Sequence, residues 1–223
     1  MLFCVMLVSL ISILSCSGIL QAYRANLRIS SVAYGQTVSD AILEKITGEL
    51  NAADENGFLC MLVSDDHAED SYTSSMLGWI NENDVPVYMT AAAPESIRAA
   101  RSTEDGLITP GSDTDTDKVF LMHYYRRAQN DLPFSNWTFD ENMYQNFRIC
   151  SLQFTWVNRQ RGTSDQSEEP IVIRVDLTMQ STANPDYTYT ASASTCCYNV
   201  GNERMYLYTD PEDFHAKMNG STG

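Results

Sequence analysis

The first twenty residues contain no Asp, Glu, Lys or Arg. Nothing that usually closes an apolar run follows them: no Pro, no Gly-rich linker and no Ala-x-Ala cleavage box. The chain also lacks Gly-x-Ser-x-Gly, a Walker loop, His-Glu-x-x-His and Gly-x-Gly-x-x-Gly, so no motif selects catalytic residues or a nucleotide cofactor, and the expectation is a protein that is not an enzyme. Basic residues are scarce, 14 against 29 acidic, for a net charge of −15. Phosphate binding needs clustered Lys and Arg, so no nucleic-acid partner is expected. Acidity of this degree fits a solvated surface in an extracellular or periplasmic setting.

What the sequence has instead is LFCVMLVSLISILSCSGIL, long enough at about 1.5 Å per residue to cross a hydrocarbon layer of roughly 30 Å. Apolar residues then recur at Tyr23, Leu27, Tyr34, Val38, Ile42, Ile46 and Leu50, mostly in steps of three or four, the spacing of one helix face. Gln21, Arg24, Arg28, Gln36, Asp40, Glu44 and Lys45 fall elsewhere around the cylinder. NAADENG, residues 51–57, supplies an end signal, with Gly57 suited to a left-handed closing turn. One helix from near residue 3 to about residue 53 would be about 75 Å long. No head of this size buries that length, so half of it must lie in lipid or against other subunits.

The pattern divides the chain into a membrane-spanning or fibre-core helix (1–24), its amphipathic continuation (25–57), an irregular insertion with short strands (58–117), an antiparallel sheet (118–210) and a C-terminal tail (211–223). In the insertion only FLCMLV, MLGWI and VPVYM are apolar. From Lys118 the strand signal is strong: KVFLMHYY, FRICSLQFTWVN, PIVIRVDLTMQ, YTYTASASTCCYN and RMYLYT. Ile171, Ile173, Val175, Leu177 and Met179 alternate with polar positions, and turn-rich connections at 162–170 and 181–187 predict a three-stranded meander. A long helix followed by an antiparallel sheet is an α+β fold, the helix packing by its second half, from Tyr34 to Leu50, on the sheet.

An apolar helix, its amphipathic continuation in QAYRANLRISSVAYGQTVSDAILEKITGELNAA, and final strands WTFDENMYQNFRICSLQFTWVN, IVIRVDLTMQ and YTYTASASTCCYN together resemble type IV pilins and pseudopilins. The likeness is to minor-pilin-like proteins of Gram-positive bacteria. It covers roughly two-thirds of the chain and rests on pattern more than on fixed residues. It implies a structural subunit of a pilus or a related secretion or adhesion filament, with other pilin subunits and assembly machinery as partners. It also implies a membrane-anchored chain with its head outside the cytoplasm, at the cell surface or in a filament. Assembly would run through Leu2, Phe3, Val5, Leu7, Leu10, Ile11, Ile13 and Leu14. Two features depart from the family pattern. No basic leader precedes the run, and Val5 stands where a Glu would be if Met1 began the mature helix. That implies either a start inside the apolar segment or a subunit not processed in the usual way. Arg24 and Arg28 follow the run with no cation before it, which by the positive-inside rule alone favours the opposite orientation.

The alternative reading is an anchored extracellular ligand-binding domain. Ile13-Leu14-Ser15-Cys16 approximates a lipoprotein box in which Cys16 is acylated, though without a basic n-region and with a helix pattern continuing at once. Asp113, Asp115 and Asp117 stand at alternate positions, the opening spacing of a calcium loop. An EF-hand would need Gly at Lys118 and Glu at Tyr124. An acidic solvated turn is therefore expected, with a looser calcium site as the alternative, since some pseudopilins bind the ion. His67 among Asp65, Asp66, Glu69 and Asp70 reads as an exposed acidic loop. Outside the apolar run, Cys60, Cys150, Cys196 and Cys197 allow a bridge from Cys60 or Cys150 to one of the adjacent pair, or buried free thiols. Sequons begin at Asn136 and Asn219. Trp137, Phe139, Tyr144, Phe147, Phe154 and Trp156 are expected in the core, the alternative being a sugar- or partner-binding patch.

Overall fold

The computed structural model describes residues 2–55, 57–63, 72–100, 108, 117–125, 135–157 and 170–220, with the side chains of 2–5, 7, 99, 100 and 202 excepted. Helix α1 runs unbroken over Leu2–Asn51. Its exposed and packed halves meet at Gly35. Beyond it Val38, Ile42, Leu43, Ile46 and Leu50 recur at helical spacing and are buried, each worth about 1.5–3 kcal/mol as it leaves water. Tyr34, expected to open the packed stripe, is instead exposed. Gly35 takes that place because a Cβ there would sit 3.3 Å from the Phe147 ring and 3.3 Å from the Tyr189 Cβ, so the helix approaches the sheet closely. A leucine there would wedge the two apart. Gly35→Leu is expected to destabilise the head by about 1–3 kcal/mol, read as a lower midpoint of near-UV circular dichroism.

Gly57 does not adopt the left-handed turn expected of it; Gly220 is the left-handed glycine among the described residues. Gly57 is needed for space, since a Cβ would lie 2.9 Å from the Ile80 Cβ. Its N–H donates to the Asp54 carbonyl at 2.9 Å, which folds the chain back after the helix.

Among the described residues nine strands follow: β1 Leu59–Val63, β2 Tyr72–Ile80, β3 Pro86–Ala92, β4 Val119–Tyr124, β5 Ser135–Thr138, β6 Phe147–Trp156, β7 Pro170–Ser181, β8 Thr188–Gly201 and β9 Met205–Tyr208. They form one sheet in the order β5-β4-β3-β2-β6-β7-β8, and it forks at β2, which also pairs β1, which in turn pairs β9 in parallel. The meander β6-β7-β8 is present and antiparallel. Ile171, Ile173, Val175, Leu177 and Met179 all point into the core beneath α1, which lies along β8 and β7. At its end Asn51 accepts from the Thr195 hydroxyl at 2.9 Å, and the Asn199 amide donates to the Ala53 carbonyl at 3.0 Å.

Two stretches differ from expectation. Residues 58–117, expected as an irregular insertion with short strands, contribute in their described part the integral strands β1, β2 and β3, with helix α2, Pro94–Ala100, after them. Their apolar runs do not alternate because both sheet faces are covered there. One lies in the core beneath α1, and the other lies in a second cluster with Cys60, Met76, Tyr88 and Tyr125. The cover on that second face comes from the C-terminal segment, expected as a tail. Besides the single-turn helix α3, Glu141–Tyr144, the chain forms helix α4 over Pro211–Met218. The Asp210 carboxylate accepts from the Glu212 N–H, Pro211 fills the first turn, and Glu212 and Asp213 complement the helix dipole. Phe214 and Met218 then seal the outer cluster.

Candidate assembly surface and head groove

Most of the exposed large hydrophobic side chains among the described residues lie on the first half of α1. Met6, Val8, Leu10, Ile11, Ile13, Leu14, Ile19 and Leu20 all lie open, Ile13 to 68 % and Ile19 to 70 %. Tyr23, Leu27, Ile29 and Val32 continue the bare surface toward the head. Apolar side chains surround the cylinder on all sides in the first twenty residues, so no single face of the head could cover them. One helix among the described residues is long and apolar enough to cross a membrane, and it is this one. Three of its serine hydroxyls are internally satisfied: Ser9, Ser12 and Ser17 donate to the carbonyls of Met6, Val8 and Leu14. A segment built this way presents no unmet side-chain donor at those serines to a lipid or a neighbouring helix. Of the expected assembly residues, Leu10, Ile11, Ile13 and Leu14 are bare, and Leu2, Phe3, Val5 and Leu7 share the same helix, their side chains being outside the described residues. Cys16 is an exposed position within the unbroken helix, with no flexible tether after it.

Asp113 and Asp115 lie outside the described residues, as do Asp65, Asp66, His67, Glu69 and Asp70. Asp117 is exposed and accepts from Arg148 Nε at 2.9 Å, an ion pair that ties the start of β4 to β6. Among the described residues no group of three His, Cys, Asp or Glu is placed to hold a metal ion.

Cys16, Cys60, Cys150, Cys196 and Cys197 are all free thiols. Of the two alternatives, a bridge or free thiols, register explains why no bridge forms from Cys150. Cys150 falls at the bulge opposite Met179 and Thr178, and Cys196 stands opposite Val172. Six residues of strand, about 20 Å, separate them, against a limit near 7 Å for a disulfide. Cys60 faces the outer cluster, 3.3 Å from Met218 Sδ, and Cys197 is buried in the core beneath α1. Burial pushes the Cys60 thiol far up, against the pull of Lys217, and raises Cys197 to about 12 with help from Cys196. Both are neutral and inert at ordinary pH.

On the outer face Tyr125 and the His215 Nδ1 lie 3.0 Å apart, and Lys217 sits 4.2 Å over the Tyr206 ring and 4.6 Å over Phe58. These contacts fasten α4 to the sheet. His123, 2.6 Å from the Asn136 side-chain oxygen, is held below the usual imidazole range by burial, with His215 adding to the effect and Asn136 opposing it. The partner of His123 is the Asn136 of the first sequon, half-buried on β5.

The six aromatics split by position. Tyr144, Phe147, Phe154 and Trp156 are buried, and the Tyr144 hydroxyl accepts from the Phe120 N–H at 2.8 Å. Trp137 and Phe139 are half-buried at the β5 edge of the sheet and line a groove against the flank of α1. No family model matches the chain, and neither a curated protein nor a solved structure matches it.

Proposed function

We propose that this chain is a structural subunit, minor-pilin or pseudopilin-like, of a type IV pilus or a related secretion or adhesion filament. The observation that carries the reading is the bare apolar half of α1, which continues without a break into a half docked on an antiparallel sheet. One rigid rod then serves two solvents. It sits in the bilayer before assembly, and in the filament it packs against the same rods of neighbouring subunits. The head is an α+β unit carried at the end of the rod, and adhesion or tip-building is its task. No reaction is assigned to it.

The test uses filaments sheared from cells that make the chain. They are expected to contain it in fixed ratio to the other subunits. The double substitution Leu10→Asp and Ile13→Asp costs about 2.5–3.5 kcal/mol per carboxylate at the middle of a membrane helix. It should remove the chain from the filaments while the head keeps its near-UV spectrum. A chain that inserts in the membrane but is never found in filaments, nor cross-linked through residues 6–34 to another subunit, contradicts the proposal. An anchored ligand-binding head that does not polymerise is the second reading, and the groove beside β5 is the observation in its favour.

A further inference from the structure

We infer that the groove between α1 and strand β5 is a binding site for a neutral saccharide, which docks one pyranose ring against Trp137. The inference stands on the head alone and does not depend on filament assembly. The groove measures about 390 Å³ and opens to solvent between the flank of α1 and the sheet edge, within the range of small-molecule sites. One wall is aromatic. The Trp137 and Phe139 rings lie 4.7 Å apart at 67°, held at the edge while their aromatic neighbours in sequence are buried. Phe120 braces both rings from beneath, at 6.2 and 6.0 Å.

The opposite wall is the flank of α1, which is small at two of its five lining positions. Ala41 and Gly48 stand two turns apart on the flank that faces Trp137. Gly48 lies in the last turn of α1, where alanine would be favoured by roughly 0.5–1 kcal/mol. A Cβ there would meet no atom within 4 Å among the described residues. Packing inside the head therefore gives no reason for a glycine, whereas a ligand approaching the helix backbone does.

Between the walls the polar groups alternate in kind. The Lys45 ammonium lies 4.9 Å over the Trp137 ring and is paired with Glu49, and Glu44 is exposed one position before it. Donor and acceptors are thus set beside an aromatic face. An anion is disfavoured by two carboxylates against one ammonium in a chain of charge −15. A cation over the indole would be repelled by the Lys45 ammonium it displaces, and an apolar helix would strip water from three charges. A neutral polyol with one apolar face meets every condition. Its C–H face takes the place of the Lys45 ammonium over the ring, the ammonium moves to the rim of the sugar and donates to its hydroxyls, and those hydroxyls donate to Glu44 and Glu49.

The test is titration of the full chain in detergent micelles with a panel of neutral glucose-, galactose- and mannose-terminated oligosaccharides. The readout is tryptophan emission. Trp79 and Trp156 are buried, so Trp137 carries the response. At least one sugar of the panel is expected to shift the emission saturably. Trp137→Ala should weaken it roughly tenfold or more, as for a truncated aromatic anchor. Gly48→Leu, which fills the groove from an outward-facing helix position, should weaken it as much without lowering the melting temperature. No saturable response to any member of the panel overturns the inference. So does binding that survives Gly48→Leu, and so does a groove that takes a peptide while refusing the whole panel.

Discussion

Ile46→Asp is expected to unfold the head at room temperature. Ile46 is fully buried, midway along the docked half of α1, in one core with Ile42, Leu50 and the inward side chains of β7. Truncating such a residue to alanine costs about 2–5 kcal/mol. A carboxylate adds the cost of an unpaired charge in an apolar core, and the total rivals the ~5–15 kcal/mol that holds a domain folded. Ile46→Ala is the graded version. At about 3 kcal/mol it should lower the melting temperature by roughly 10 °C for a head of this size. Near-UV circular dichroism of the buried Trp79 and Trp156 follows the core, where far-UV signal would be dominated by the persistent rod of α1. Gln36→Ala, on the exposed side of the same helix, should stay within about 0.5 kcal/mol. A head that keeps its near-UV spectrum with Asp at position 46 would mean that α1 is not docked through this face.

The helix was legible because charge absence and three-to-four spacing are strong signals over fifty residues. The point where it stops being bare was not, since Tyr23, Leu27 and Tyr34 obey the same spacing as Val38 and Ile42. Only the close approach of Phe147 and Tyr189 to Gly35 separates the two halves. The meander β6-β7-β8 was legible from the alternation of Ile171 to Met179, because one face packs on α1 while the other is less buried. Strands β1 and β3 do not alternate, being buried nearly throughout. A short apolar run of that kind carries no period to read. Helix α4 was written in plain terms by Asp210, Pro211, Glu212 and Asp213, yet its eight residues follow a strand signal and end near a glycine, so it reads as a tail. As for the groove, Trp137 and Phe139 resemble Phe154 and Trp156 in sequence. Their place at a sheet edge is set by topology, and strand order is not a local property.

Removing residues 1–24 is expected to turn a membrane-bound chain into a soluble one with its head intact. The segment carries the eight bare side chains from Met6 to Leu20, and each is worth about tenfold or more in partition out of water. It makes none of the contacts that bury Val38 to Leu50. The head therefore loses its anchor and none of its core. Arg24 and Arg28 mark the boundary: the first charges of the chain follow directly on the run and suit an interface. The decisive measurement is flotation with phospholipid vesicles on a density gradient, with the full chain and the chain lacking residues 1–24 side by side. The full chain should rise with the vesicles and resist alkaline extraction, and the shortened chain should stay below as a monomer with an unchanged near-UV spectrum. A full chain that remains a soluble monomer without lipid or detergent, or a shortened chain that still floats, would contradict the account.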